Sequence, residues 1–524
     1  MTSQNYKSRF LKKWERDLAI GCLWIAIVVQ WHFSGELHAS DSLGENPNVL
    51  FVAIDDLNDW IEPLGGHPQA RTPHLSRFAA QAVNFTRNYC PSPGCNPSRS
   101  AVMTGYHPYT SGMYSNYQDW RKAIPNAVTL GEYFRKNGYW SAGAGKIFHY
   151  SQVAPACWDD YFPSQTKNMP DYHYPRPGQT VNMPVFHHMY QDFDWSPIEL
   201  PDEKTGDYQC VKWISDHLAR SHDQPFFLAC GIYRPHVPWY VPQKYFDLFP
   251  LETLQLPKVL KGDLDDLGIR GKELAARGGN YHQHVLAAGQ WKKAVQGYLA
   301  SIAFADAMLG KLLDALEQSA YANNTIVVVW SDHGWQLGEK QHWRKFALWE
   351  NLARCVLMIK SPQGIAALPE GAKTGANCKR ITSLIDIYPT LLELCDLPPR
   401  DELDGHSLVP LLLNPNTEWN YPAITTYDYS EFSIRTERWR YISYIDGSEE
   451  LYDHDNDPEE WTNLATHPEY QQVKTRLTKH IPDNPAPLRK ETLIKIMPHH
   501  IPPYGSKEEY RRRNKRPARN NLDF

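Results

Sequence analysis

Four short apolar runs limit how this chain can fold: "NVLFVAI" (48–54), "YWSAGAG" (139–145), "PFFLACGIY" (225–233) and "NTIVVVW" (324–330). Continuous runs of this length, rich in branched and aromatic residues, suit strands buried on both faces of a parallel sheet. Helical patterns lie between them. The longest runs from Gln290 to Gln318, where apolar residues recur at spacings of three and four and mark one face for burial. This alternation predicts an α/β fold built on a mainly parallel sheet flanked by helices. Past residue 400 the pattern changes to short alternating runs, "PAITTYDY", "FSIRTE" and "RWRYISYI", with an Asp-Gly turn before "SEELYDHD". Antiparallel hairpins follow from that pattern, so a smaller α+β subdomain is expected over 401–524, after a main domain over 41–400.

The first 40 residues read as a targeting segment. Five basic residues between Lys7 and Arg16 precede an apolar run from Leu18 to Val29, and a polar stretch ending in "ELHAS" offers cleavage near Ala39. The run is short for a bilayer span, so export to the periplasm or medium is expected, with no stable membrane anchor. The tail from Ser506, "SKEEYRRRNKRPARNNLDF", is basic and reads as a solvated terminus. Overall, 54 basic residues stand against 59 acidic ones, which gives no charge excess of the kind that draws nucleic acid.

Each apolar run leads straight into polar residues. The first ends in Asp55 and Asp56, the second in Lys146 and His149, the third in Arg234 and His236, and the fourth in Asp332 and His333. Open α/β sheets bind ligands beyond the carboxyl ends of their strands, so all of these side chains are expected along one edge. Asp55, Asp56 and Asp332 form a hard oxygen set suited to Ca2+, with Mg2+ as the alternative. His333 is a less usual ligand for either ion. Taken singly, an Asp-Asp pair reads as solvated acids, and His149 and His236 read as loop histidines.

"CNPSR" places Cys95 at the start of a predicted helix, with Pro97 in its first turn and Arg99 one turn on. Backbone N–H groups there favour an anion and would acidify a thiol. A soft thiolate beside hard carboxylates is a mismatch unless the sulfur is a precursor. The nine cysteines include no Cys-x-x-Cys pair. A Cys90–Cys95 disulfide, which would remove the thiol, stays open at this point.

The blocks "CNPSR", "AVMTG", "GKIFH", "YRPHVP", "SDHGWQLGEKQHWRK", "SIRTERWRY" and "ELYDHDNDPEEWTNLA" resemble, in order, those of the formylglycine-dependent sulfatases of the alkaline phosphatase superfamily. The likeness spans roughly residues 47 to 466 and is strongest to that family's iduronate-2-sulfatase branch. It implies a large mixed, mainly parallel sheet. It also implies that a separate maturation enzyme oxidises Cys95 to formylglycine, whose hydrated aldehyde attacks sulfur and then expels sulfate. Carried over block by block, Asp55, Asp56, Asp332, His333 and the modified Cys95 would hold the divalent cation. Arg99 would steady the diol, and Lys146 and Lys345 would grip sulfate oxygens. His149 would assist sulfate release and His236 the departing alcohol. The implied substrate is a sulfated sugar or polysaccharide, with the segment from Cys157 to Trp195 as a candidate substrate rim. Two other readings are a phosphomonoesterase or phosphodiesterase of the same superfamily, and a non-catalytic binder of sulfated glycans. The intact Cys-x-Pro-Ser-Arg block argues against the first, and the full set of catalytic residue types against the second.

Overall fold

Eight strands form the main sheet: β1 (Asn48–Ile54), β2 (Val83–Phe85), β3 (Trp140–Gly145), β4 (Asp160–Phe162), β5 (Phe226–Ile232), β6 (Thr325–Ser331), β7 (Leu357–Lys360) and β8 (Asn377–Cys378). These come from a computed structural model that describes residues 46–149, 154–164, 167, 180–184, 193–277, 279–493 and 512. The expected targeting segment, and the basic tail apart from Arg512, lie outside the described residues. Across the sheet the order is β8-β2-β7-β6-β1-β5-β3-β4. All strands run parallel except β7, which is antiparallel to both of its neighbours. The four apolar runs of the sequence are therefore the four central, adjacent strands β6, β1, β5 and β3. The remaining strands have two to four residues each, too few to leave a pattern.

Side chains alternate across the sheet into two cores. Leu50, Val52 and Ile54 face α1 (Pro73–Ala79), α4 (Gly206–Leu218) and α5 (Trp291–Glu317). Val49, Phe51 and Ala53 face α2 (Cys95–Thr104), α3 (Leu130–Lys136) and α6 (Ile387–Leu394). Because both faces are covered, every residue of β1, β5 and β6 is buried. Each large apolar side chain so buried contributes about 1.5–3 kcal/mol. The ends of the proposed rim join this core: Cys157, Trp158 and Tyr161 pack under β3, and Phe193 and Trp195 pack against Trp239. Much of the rest of that segment lies outside the described residues.

Four further strands, β9 (Ala423–Thr426), β10 (Phe432–Arg435), β11 (Trp439–Ser443) and β12 (Glu449–Asp453), form the expected antiparallel meander. One face packs on α7 (Gln471–Leu477) through Leu477. The other, through Ile442 and Tyr452, packs on Leu348, Trp349 and Leu352. No described helix is long and apolar enough to cross a membrane.

Candidate active site

The carboxyl ends of β1, β3, β5 and β6 converge on the first turn of α2. Asp55 continues β1 and donates its N–H to Ile232 O at 3.0 Å. Asp56 then turns left-handed (φ 58°), which aims its carboxylate back across the sheet edge. Tyr298, from the middle of α5, fixes that turn by donating its hydroxyl to Asp56 O at 2.8 Å. At the end of β3, Gly145 (φ 75°) lies so close to Gly231 of β5 that a Cβ on either would collide with the facing backbone. This close approach brings Lys146 down to the cluster, where its ammonium pairs with Asp55 Oδ2 and lies 3.8 Å from Cys95 Sγ.

Cys95 opens α2, with Gly94 as an extended N-cap. The carbonyls of Ser115 and Gln118 hold the Asn96 amide beside it, at 3.2 and 2.7 Å. Ser98 Oγ donates to Asp332 O at 2.6 Å and ties the helix to the end of β6. Arg99 bridges two carboxylates, with Nε donating to Asp332 Oδ2 at 2.9 Å and Nη2 to Asp55 Oδ1 at 3.0 Å. All three side chains are fully buried. Buried ion pairs recover little of their desolvation cost, so this triad serves geometry more than stability. Arg99 thus braces the Asp55 and Asp332 carboxylates against each other.

His333 Nδ1 lies 2.9 Å from Gly334 O, and a carbonyl only accepts, so Nδ1 carries the hydrogen. Nε2 then faces the cluster, 3.4 Å from Cys95 Sγ and 3.3 Å from Asp56 Oδ1. His236 is held in the same manner by Val237 O at 2.6 Å, which leaves Nε2 3.8 Å from Asp56 Oδ2. Lys345 arrives from a distant loop, and its Nζ lies 2.8 Å from Cys95 Sγ and 2.5 Å from Asp56 Oδ1. The loop that carries it contains left-handed residues on either side, Arg344 and Phe346 (both φ 79°). His149 lies within the field of the same groups: burial, then Lys146 and Lys345, push its imidazole well below the usual range.

The electrostatics point to a cation. Burial would raise the Asp55 carboxyl, but Lys146 and Arg99 overrule it and hold the group well below the usual carboxylate range. Burial pushes Asp56 up to about 7, with Asp55 and Cys95 adding to the rise against Lys345. Asp56 Oδ2 is buried with no hydrogen-bond partner. Ligand atoms of Asp56, Cys95, Asp332 and His333 all lie within 4.8 Å of one another, and so do those of Asp55, Asp56 and His236. An orphaned carboxylate oxygen inside such a donor set fits a divalent cation.

The structure thus brings together ten of the residues singled out from the sequence: Asp55, Asp56, Cys95, Arg99, Lys146, His149, His236, Asp332, His333 and Lys345. Arg234 turns aside and braces the carbonyls of His236 and Tyr240. All eight described cysteines are free. Cys90 turns toward Leu352 O at 3.7 Å, so the Cys90–Cys95 disulfide does not form. Tyr298 was not legible in the sequence, since it acts through a contact made only by the fold.

Fold and site together define a hydrolase of anionic esters on an alkaline-phosphatase-like sheet. The chain belongs to the sulfatase family and hydrolyses sulfate esters: the Sulfatase family model matches residues 47–397, and the N-sulphoglucosamine sulphohydrolase C-terminal model matches 338–486. A sulfatase of Formosa agariphila is 38% identical over 87% of this chain and 90% of its own length. Human iduronate 2-sulfatase is 27% identical over 72% of this chain and 75% of its own. Among solved structures, a protein in complex with its substrate D-glucosamine-2-N,6-O-disulfate superimposes with TM-score 0.64 at 20% identity, over 83% of this chain and 96% of its own. The phosphonate monoester hydrolase of Agrobacterium radiobacter does so with TM-score 0.66 at 21% identity, over 83% and 94%. At these identities the likeness concerns the fold alone.

Proposed function

We propose that this sulfatase removes O-sulfate from a uronic acid or other sugar of a sulfated polysaccharide, after export and after oxidation of Cys95 to formylglycine by a maturation enzyme. The observation that carries the reading is the position of Cys95: at a helix N-terminus, 2.8 Å from Lys345 Nζ and beside Asp56, Asp332 and His333. The sulfur stands where the oxygens of a hydrated aldehyde would be. Such a diol supplies an oxygen nucleophile for sulfur and a second hydroxyl that releases sulfate, which neither a thiol nor a serine hydroxyl offers.

Asp55, Asp56, Asp332 and His333 would hold a divalent cation, most simply Ca2+, together with the modified residue. Bound there, the cation neutralises negative charge and acidifies an oxygen in contact with it. Lys146 and Lys345 hold the sulfate oxygens, the first-turn N–H groups of α2 add to that grip, and Arg99 keeps Asp55 and Asp332 aimed. His149 takes a proton as sulfate leaves. His236 stabilises the departing sugar oxygen, a poor leaving group without help. The β9–β12 sheet buttresses the Lys345 loop through Trp349 and Glu350. The likeness to iduronate 2-sulfatase and to an ulvan-active sulfatase of Formosa agariphila, 27% identical, supports a polysaccharide sugar as substrate.

A peptide mass spectrum over Asn88 to Arg99, on protein matured with a formylglycine-generating enzyme, tests the nucleophile. A thiol replaced by an aldehyde, in protein that desulfates sugars, supports the reading. An unmodified thiol in fully active protein refutes it.

A further inference from the structure

Arg277, half-buried beside the site, differs from Arg99, Lys146 and Lys345 in having no carboxylate in direct contact among the described residues. Its guanidinium lies against the rings of Phe346 at 5.0 Å and Tyr427 at 5.1 Å. Among the described residues its side chain makes no hydrogen bond and no ion pair. The neighbouring carboxylates are committed elsewhere: Glu431 takes Arg270 through both oxygens, at 2.7 and 3.2 Å, and Asp428 lies 4.0 Å from the same arginine. An arginine stacked on aromatic faces keeps its in-plane N–H fork directed outward, the geometry that recognises a carboxylate or sulfate through two bonds. Burial brings its pKa down to about 10, with the like charge of Arg270 adding to the fall and the more distant Asp428 and Glu431 opposing it.

Its location gives this charge a use. Arg277 lines a cleft with Gly94, Pro97, Tyr114, Phe346 and Asp428, about 30 Å³ in volume. That is room for roughly two water molecules, hence for one polar substituent and not for a sugar ring. Gly94 is the residue before Cys95, and a Cβ there would meet the Phe346 ring at 3.3 Å. Phe346 follows Lys345, whose ammonium is 2.8 Å from Cys95 Sγ. One aromatic ring therefore separates the unpaired guanidinium from the sulfate grip.

We infer that Arg277 binds a second anionic group, a carboxylate or another sulfate, on the sugar whose sulfate ester is cleaved at Cys95. This rests on the reading of the site given above, and it assigns Arg277 a role in substrate choice rather than in bond cleavage.

The test compares 4-nitrophenyl sulfate with a panel of 2-O-, 4-O- and 6-O-sulfated monosaccharides. Each is supplied as the uronic acid, its methyl ester, and the neutral sugar with and without a second sulfate. Wild-type enzyme should favour one class of doubly anionic sugar by about 10- to 100-fold in kcat/KM, chiefly through KM, as expected for one charged, bidentate contact. The acid and disulfate arms identify which anion is read. Arg277→Ala should abolish the preference while holding 4-nitrophenyl sulfate turnover within about twofold, because the contact is remote from the reacting sulfur. If the alanine variant melts early, Arg277→Lys carries the test: it keeps the charge, loses the fork, and should cut the preference several-fold. Wild-type enzyme that hydrolyses the aryl ester yet discriminates within no pair overturns the inference. So does a preference that survives both variants, or an equal loss on aryl and sugar substrates. Aldehyde-bearing wild-type enzyme inert toward every sulfate ester would instead overturn the underlying site reading.

Discussion

The ammonium of Lys345 lies 2.8 Å from the sulfur of Cys95, although 250 positions separate the two in the chain. The same ammonium meets Asp56 Oδ1 at 2.5 Å, so one cation touches both the proposed nucleophile position and a proposed metal carboxylate.

Cys95→Ser should abolish multiple turnover and leave the fold intact. A serine can be sulfated, but it has no second hydroxyl with which to expel sulfate. The expected fall in kcat for 4-nitrophenyl sulfate is at least about 10³-fold, with an unchanged melting temperature. Sustained turnover near the wild-type rate would refute the diol mechanism.

Lys345→Ala should lower kcat for the aryl ester by roughly 10²- to 10³-fold, the usual cost of losing one preorganised donor to a transition-state oxygen. KM should move much less. If KM rises and kcat holds, Lys345 serves ground-state binding only.

Chelation should reduce both activity and stability, since a cation bound only by the native state stabilises it by mass action. At about 100 times its Kd the gain is about 2.7 kcal/mol. Calorimetry with EDTA, then with added Ca2+ or Mg2+, should show the melting temperature fall and recover. Asp332→Asn should be insensitive to both additions, and a wild-type response of zero would remove the cation from the scheme.

Glu350 joins the Lys345 loop to the C-terminal sheet, accepting from Tyr89 Oη at 2.8 Å, Arg435 Nε at 3.1 Å and Arg440 Nη2. Burial would raise its carboxyl, but Arg435, His454 and Arg440 hold it well below the usual value. For a depressed acid, the stabilisation is complete above its unfolded pKa of about 4.3 and disappears as pH falls through the lower folded value. Glu350→Gln should therefore cost about 3–5 kcal/mol at pH 7. The gap from wild type should begin to narrow below roughly pH 4 and close only beneath the lower folded value. Denaturant melts at several pH values read this directly, and a pH-independent gap would contradict the assignment.

The strongest sequence signals were those set by near neighbours. β1 and β6 were visible because burial on both faces requires an unbroken apolar run, and α5 because one covered face imposes a period of three and four. Cys95 at a helix start was visible through Pro97. The short strands β2, β4, β7 and β8 were not, because two to four residues carry too little pattern and depend on the neighbour they pair with.

The chain's own order of residues determined that acids, imidazoles and a lysine would follow strand ends, and ordered blocks of residues tied them to sulfate chemistry. Only the tertiary structure decided that Arg99 braces Asp55 and Asp332, that Tyr298 pins the turn at Asp56, and that Arg277 stacks on Phe346. The physical reason is one of range. Strand and helix preference arise from residues a few positions apart, whereas charge compensation and hydrogen-bond satisfaction depend on which distant segments the sheet order places side by side.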